Sequence, residues 1–86
     1  MKTVYVVLER WNTDCMEADA TVFTTKEEAL KWADAEAEKM AEWISNAVIK
    51  HRNDEDMEYD CDVCVENAEG DSDEWYEAKI LTRVVN

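Results

Sequence analysis

Among 86 residues the chain has one glycine, one histidine and three cysteines, and each scarcity closes off a class of chemistry. A single glycine, Gly70, leaves no phosphate-cradling loop, because such loops need several glycines to bring backbone N–H groups onto an anion. A single histidine, His51, with no serine or cysteine nucleophile in a recognised setting, assembles no catalytic triad. An odd number of cysteines without framework spacing does not make a disulfide scaffold and suits a reducing compartment. No apolar run reaches the roughly 18 residues that would span a bilayer, and the N-terminal MKTVYVVLER meets acid too early for a signal peptide. The expected location is therefore the cytoplasm. Basic residues are also few, 9 against 22 acids, for a net charge of -13.

With 47% of its residues hydrophobic, the chain is too apolar for a disordered acidic tail and should fold as a single domain, residues 1–86. The charge is polarised. Residues 51–77 hold twelve acids and one base, so the surface field should be concentrated rather than diffuse.

Residues 3–11, TVYVVLERW, are rich in β-branched and aromatic side chains and read as a first strand, with Val4, Val6 and Leu8 on one face and Tyr5, Val7, Glu9 and Trp11 on the other. Residues 12–19 read as a polar loop and residues 20–24 as a short returning strand. Thr25 followed by Glu28 forms a capping box, with Thr24 and Glu27 as the alternative. From there Leu30, Ala33, Ala37, Met40, Ile44, Ala47 and Val48 recur at spacings of three and four, predicting one long helix over residues 26–52 with an apolar stripe toward a sheet. Lys50, His51 and Arg52 would suit its negative end. Trp32 and Trp43, eleven residues apart, fall within roughly 20° of each other on such a helix. They would either pack at the sheet margin or under the loop of residues 12–19, or anchor a partner or second subunit, as Trp11 on the sheet could.

Residues 57–66, MEYDCDVCVE, alternate between apolar and acidic positions and read as a third strand. Residues 75–85 alternate again, with Tyr76, Ala78, Ile80, Thr82 and Val84 on one face. A hairpin register summing to 141 sets Val63 against Ala78 and Cys61 against Ile80 inside, with Asp62 against Lys79 and Glu58 against Arg83 outside. Asp60 and Glu66 are then left without counter-charges. The expected fold is α+β: a four-stranded antiparallel sheet, ββαββ in the order 2-1-3-4, with the long helix on one face. The other face would hold Tyr5, Val7, Trp11, Trp75, Leu81 and Val85 beside the acids, a surface apolar enough for self-association as a homodimer.

Cys61-x-x-Cys64 invites a metal or redox reading, but within a strand positions three apart point to opposite faces, so Cys61 should enter the core and Cys64 lie among the acids. A calcium loop starting at Asp54 would need glycine and a bidentate glutamate where Tyr59 and Val65 stand. No metal and no cofactor is expected. A single sheet with one helix offers no obvious deep cleft, so no enzyme is expected either.

An acidic face repels nucleic acid and anionic membrane and attracts basic surfaces. Same-face residues on a strand recur about every 6.6 to 6.8 Å, so Glu58, Asp60, Asp62 and Glu66 would form a regular string of anions. Asp54, Glu55 and Asp56 extend it at one end, and Asp71, Asp73 and Glu74, beside Trp75, at the other. In size, charge and style this resembles small acidic inhibitors of phages and mobile elements, the anti-CRISPR and anti-restriction proteins that act as nucleic-acid mimics. The resemblance implies a non-catalytic inhibitor, in the cytoplasm of a host cell, that occupies the basic groove of a nucleic-acid-binding protein. The alternative from the residues alone is a protein-protein interaction module, or homodimer, that uses its apolar sheet face and tryptophans while the acids only solubilise.

Overall fold

The computed structural model describes residues 1–13, 15–54, 60–70 and 73–86. Within them the chain is α+β, with one helix and a five-stranded antiparallel sheet: β1 (Lys2–Asn12), β2 (Met16–Phe23), α1 (Lys26–Ala41), β3 (Ala47–His51), β4 (Val63–Asn67) and β5 (Trp75–Val85). The strand order is β2-β1-β5-β4-β3. The class matches expectation, but the strand count and order do not.

The extra strand comes from the end of the expected helix. Thr25 caps the helix as the sequence suggests, its hydroxyl accepting the Glu28 N–H at 3.2 Å. The helix stops at Ala41, with Glu42 as C-cap, so it is about 24 Å long rather than about 40 Å. Four residues later Asn46 takes a positive φ of 51°, a conformation asparagine tolerates and a helix cannot propagate through. Val48 and Ile49 are β-branched, and the segment that follows Asn46 becomes β3 at the sheet edge.

The order changes because β1 and β5 are both eleven residues long and pair over their full length, Lys2 opposite Val85 through Asn12 opposite Trp75. β4 has five residues and cannot offer β1 such a ladder. β5 therefore lies at the centre, with β1 on one side and β4 on the other. The register between β4 and β5 is the expected one: Val63 faces Ala78, and the pairing continues to Glu66 opposite Trp75. Of the strand expected over residues 57–66, residues 57–59 lie outside the described residues, residues 60–62 are bends, and strand begins at Val63. β2 starts at Met16 rather than residue 20, since pairing with β1 outweighs the weak strand preference of Glu17, Ala18 and Asp19.

The helix crosses one face of the sheet and touches all five strands. Its inner stripe is Ala29, Ala33 and Ala37, all fully buried, and small side chains there let the helix axis approach the sheet. Beneath it lie Val7, Val63, Val65, Tyr76 and Ala78, with Tyr5, Trp11, Phe23, Ile49 and Ile80 packed at the margin. The face of β1 is thus the reverse of that expected. Tyr5, Val7 and Trp11 look toward the helix, and Val4, Val6 and Leu8 look away from it. Both sets are apolar, so alternation alone could not choose between them.

One acidic side chain lies in this core. Glu9 is 3% exposed; its carboxyl accepts the Tyr76 hydroxyl at 2.6 Å on one oxygen and the Trp32 indole N–H at 3.0 Å on the other. Burial, then the bond to Glu9, pushes the Tyr76 phenol well above the usual tyrosine range.

Candidate functional site

With the helix on one side, strand alternation assigns Val4, Val6, Leu8 and Arg10 of β1 to the helix-free face. Ala18, Ala20 and Val22 of β2, Trp75, Glu77, Lys79 and Leu81 of β5, Cys64 and Glu66 of β4, and Lys50 of β3 share it. The face has two halves. Toward β2 and the far end of β5 it is apolar: Val4, Val6 and Leu81 are half-buried, while Leu8 is 40% and Val22 61% exposed. Toward β4 and β3 it is a belt of ion pairs.

The belt takes up the acids expected to stand free. Asp60 lies 2.7 Å from the Lys79 ammonium and 3.2 Å from the Arg52 guanidinium. Asp62 accepts the Arg52 Nε–H at 2.9 Å and, on its other oxygen, the Ile80 N–H at 2.7 Å. Glu66 pairs with Lys50 at 2.5 Å, and Glu77 with Arg10, whose guanidinium sits 5.9 Å from the Trp75 ring centre. The Lys79 hydrogen bond, then that of Arg52, holds the Asp60 carboxyl below the usual aspartate range. Arg52 is raised in turn, first by Asp62. Asp60 and Glu66 are therefore neutralised, contrary to expectation. Lys79 chooses Asp60 over the Asp62 opposite it because Asp62 is turned into the sheet by the Ile80 amide.

Lys50 and Arg52 stand on and just beyond β3 rather than at a helix end; Lys50 reaches Glu66 of β4, and Arg52 reaches Asp60 and Asp62 in the bend before it. Lys2, Arg10, Lys50, Arg52, Lys79 and Arg83 all fall on this side, six of the nine bases, alongside Asp60, Asp62, Glu66 and Glu77, with Asp73 and Glu74 at the rim of the same face.

The remaining candidates separate. Asp54 is exposed and accepts the His51 backbone N–H at 2.7 Å. Asp73 is exposed, its carbonyl accepting from the Asn12 side chain at 3.3 Å, while Glu74 is half-buried. Glu55, Asp56, Glu58 and Asp71 lie outside the described residues. Trp11 packs on the core under the helix, not on the open face. Trp32 is tied to Glu9 and lies 5.8 Å from the Phe23 ring, and Trp43 sits beyond the helix end, 72% exposed. The two tryptophans do not form one helical ridge, because the helix that would align them ends at Ala41.

An open hollow of about 700 Å³ lies over Arg10, Cys64, Glu66, Trp75 and Glu77. Cys64 is buried rather than set among exposed acids, and Cys61 is buried as well. Cys61 precedes the strand, so alternation does not separate the two thiols. Burial is the main cause that pushes Cys61 up to about 12 and raises Cys64, which keeps both protonated and unreactive at neutral pH. Among the described residues no group of three or more His, Cys, Asp or Glu side chains could hold a metal ion, and no helix is long and apolar enough to cross a membrane. No protein-family model, curated protein or solved structure matches the chain.

Proposed function

We propose that this chain is a non-catalytic protein-interaction module that binds an apolar surface of another protein through the helix-free face of its sheet. The observation that carries this reading is the strip formed by Val4, Val6, Leu8, Val22 and Leu81, left uncovered beside a belt whose charges are already paired. A face of this kind gains by burying apolar area at about 25 cal/mol per Å² and does not have to strip water from unpaired ions. The net charge of -13 keeps the exposed strip soluble and repels nucleic acid and acidic partners.

Competition for a basic, nucleic-acid-binding groove is the second reading. It draws on the exposed acids of the helix side, Glu27, Glu28, Glu38 and Glu42, in place of the strand row. The two are separated by affinity capture from the source cell. For the apolar face, a bound protein resists elution by salt and is lost with Leu8→Glu plus Val22→Glu. For the groove, salt elutes it, and Glu27→Gln, Glu28→Gln and Glu38→Gln together weaken it. Capture that neither set of substitutions alters overturns both readings.

A further inference from the structure

The two edges of the sheet are built differently. β3 has five residues and carries Lys50 and His51, and short length with charge is a usual means of keeping an edge from pairing. β2 has eight residues, pairs with β1 without a bulge, and holds no lysine, arginine or proline. Among the described residues no strand pairs with its outer rim. The ladder fixes where its amides point. Ile80 gives its N–H to Asp62 on the β4 side, so Val7 opposite it turns its own N–H and C=O toward β2, where Thr21 faces it. Alternation then sends the N–H and C=O groups of Ala18, Ala20 and Val22 off the edge. In the single chain the Ala20 N–H is held by the neighbouring Asp19 carboxyl at 2.8 Å.

We propose that β2 pairs antiparallel with β2 of a second copy, in the register whose residue numbers sum to 40, to give a ten-stranded sheet about a twofold axis at Ala20. A twofold normal to the sheet carries each face onto itself, so opposed residues must share a face and the sum must be even. Sums of 38 and 40 each pair seven residues of β2. At 38, Asp19 meets its own copy; at 36, Glu17 meets Asp19; a sum of 42 pairs only five residues. At 40, Asp19 faces Thr21, Glu17 faces Phe23, Ala18 faces Val22 and Ala20 faces itself, so no like charges are opposed. The Ala20 N–H passes from the Asp19 carboxyl to the Ala20 carbonyl of the other copy, exchanging one acceptor for another. Both helices stay on one side, and the two apolar strips join across Ala18, Ala20 and Val22. The pairing uses the strand edge and holds independently of what the open face binds.

Light scattering of the full chain over a concentration series tests this, together with an oxidative cross-link. The expected mass is twice the 10.0 kDa of one chain. Ala20→Lys places two ammonium groups opposite each other at an exposed site, and should return the mass to that of one chain without altering the circular dichroism. In a Cys15→Ser background, Ala20→Cys should form a disulfide between copies, the two thiols each losing a hydrogen to oxidised glutathione; a hydrogen-bonded antiparallel pair holds its Cα atoms about 5.5 Å apart, within disulfide reach. Ala18→Cys should not, because residue 18 faces residue 22. A chain that stays monomeric at every concentration overturns the proposal. So does a dimer that cross-links through Ala18→Cys in preference to Ala20→Cys, which also decides the matter if Ala20→Lys disturbs folding.

Discussion

Replacing Tyr76 by phenylalanine removes one oxygen from the centre of the core and leaves the ring in place. That oxygen holds Glu9, a residue only 3% exposed, whose carboxyl accepts from the Tyr76 hydroxyl and the Trp32 indole. Removing one partner so that a buried acceptor is left unsatisfied costs about 1–3 kcal/mol, because the group left behind cannot recruit water. Val7, Ala29 and Ala33 are fully buried in the same core, so a replacement water has little room. We expect a loss of about 2 kcal/mol for Tyr76→Phe. At about 4–8 °C per kcal/mol for a domain of this size, the melting temperature should fall by about 8–16 °C. Thermal unfolding followed by circular dichroism, with urea titration for the free energy, measures both. Trp32→Phe removes the second donor, and the double variant should lose more than the sum of the singles, because either donor partly satisfies the carboxyl while the other is present. A Tyr76→Phe protein that melts within about 2 °C of the parent would show that the Glu9 carboxyl is solvated or relaxes outward, and the reasoning would fail.

Two further outcomes follow from the belt and the thiols. Asp60 titrates low because of Lys79 and Arg52, so its contribution is present above the unfolded aspartate value and disappears as pH falls through the folded one. Lys79→Met should move its NMR titration midpoint upward toward about 3.9, and an unchanged midpoint would remove Lys79 from the account. With a thiol-reactive disulfide reagent, exposed Cys15 should react at once, and buried Cys61 and Cys64 only on addition of denaturant. Three equal rates in the native protein would contradict their burial.

Where the sequence was legible, two independent local signals agreed. Alternation marks β5 with its observed bounds, and alternation combined with opposite charge across the pair marks its register with β4. The Thr25 cap was marked by hydroxyl and acid at the right spacing. The helix end was not legible, because Ile44, Ala47 and Val48 fit a helical stripe as well as they fit a turn followed by a strand. Only the conformation of Asn46 separates the two. The rest depends on that one boundary: a helix continued to Arg52 leaves no β3, turns Lys50 and Arg52 toward a helix dipole, and leaves Asp60 and Glu66 without the cations that pair with them. Glu9 had a faint signal, since it is in phase with Tyr5, Val7 and Trp11, but nothing in β1 said that this phase faced the helix.

The distribution of bases explains how so acidic a chain can display an apolar face. If the 22 acids were spread evenly, the strip around Leu8 and Val22 would be ringed by like charge, and any partner would have to strip water from carboxylates at its rim. Instead the fold gathers six of nine bases on the strip's own side and ties the nearby acids to them in pairs, so each pair presents little net charge to an approaching surface. Exposed acids of the helix, Glu27, Glu28, Glu38 and Glu42, stand on the other side, where they supply repulsion between molecules without touching the strip. The same separation governs the β2 edge, where Glu17 and Asp19 stand on the helix side while Ala18, Ala20 and Val22 continue the apolar strip. A second copy therefore meets small apolar side chains on one side of the new ladder. On the other it meets acids that only one register keeps apart over seven paired residues.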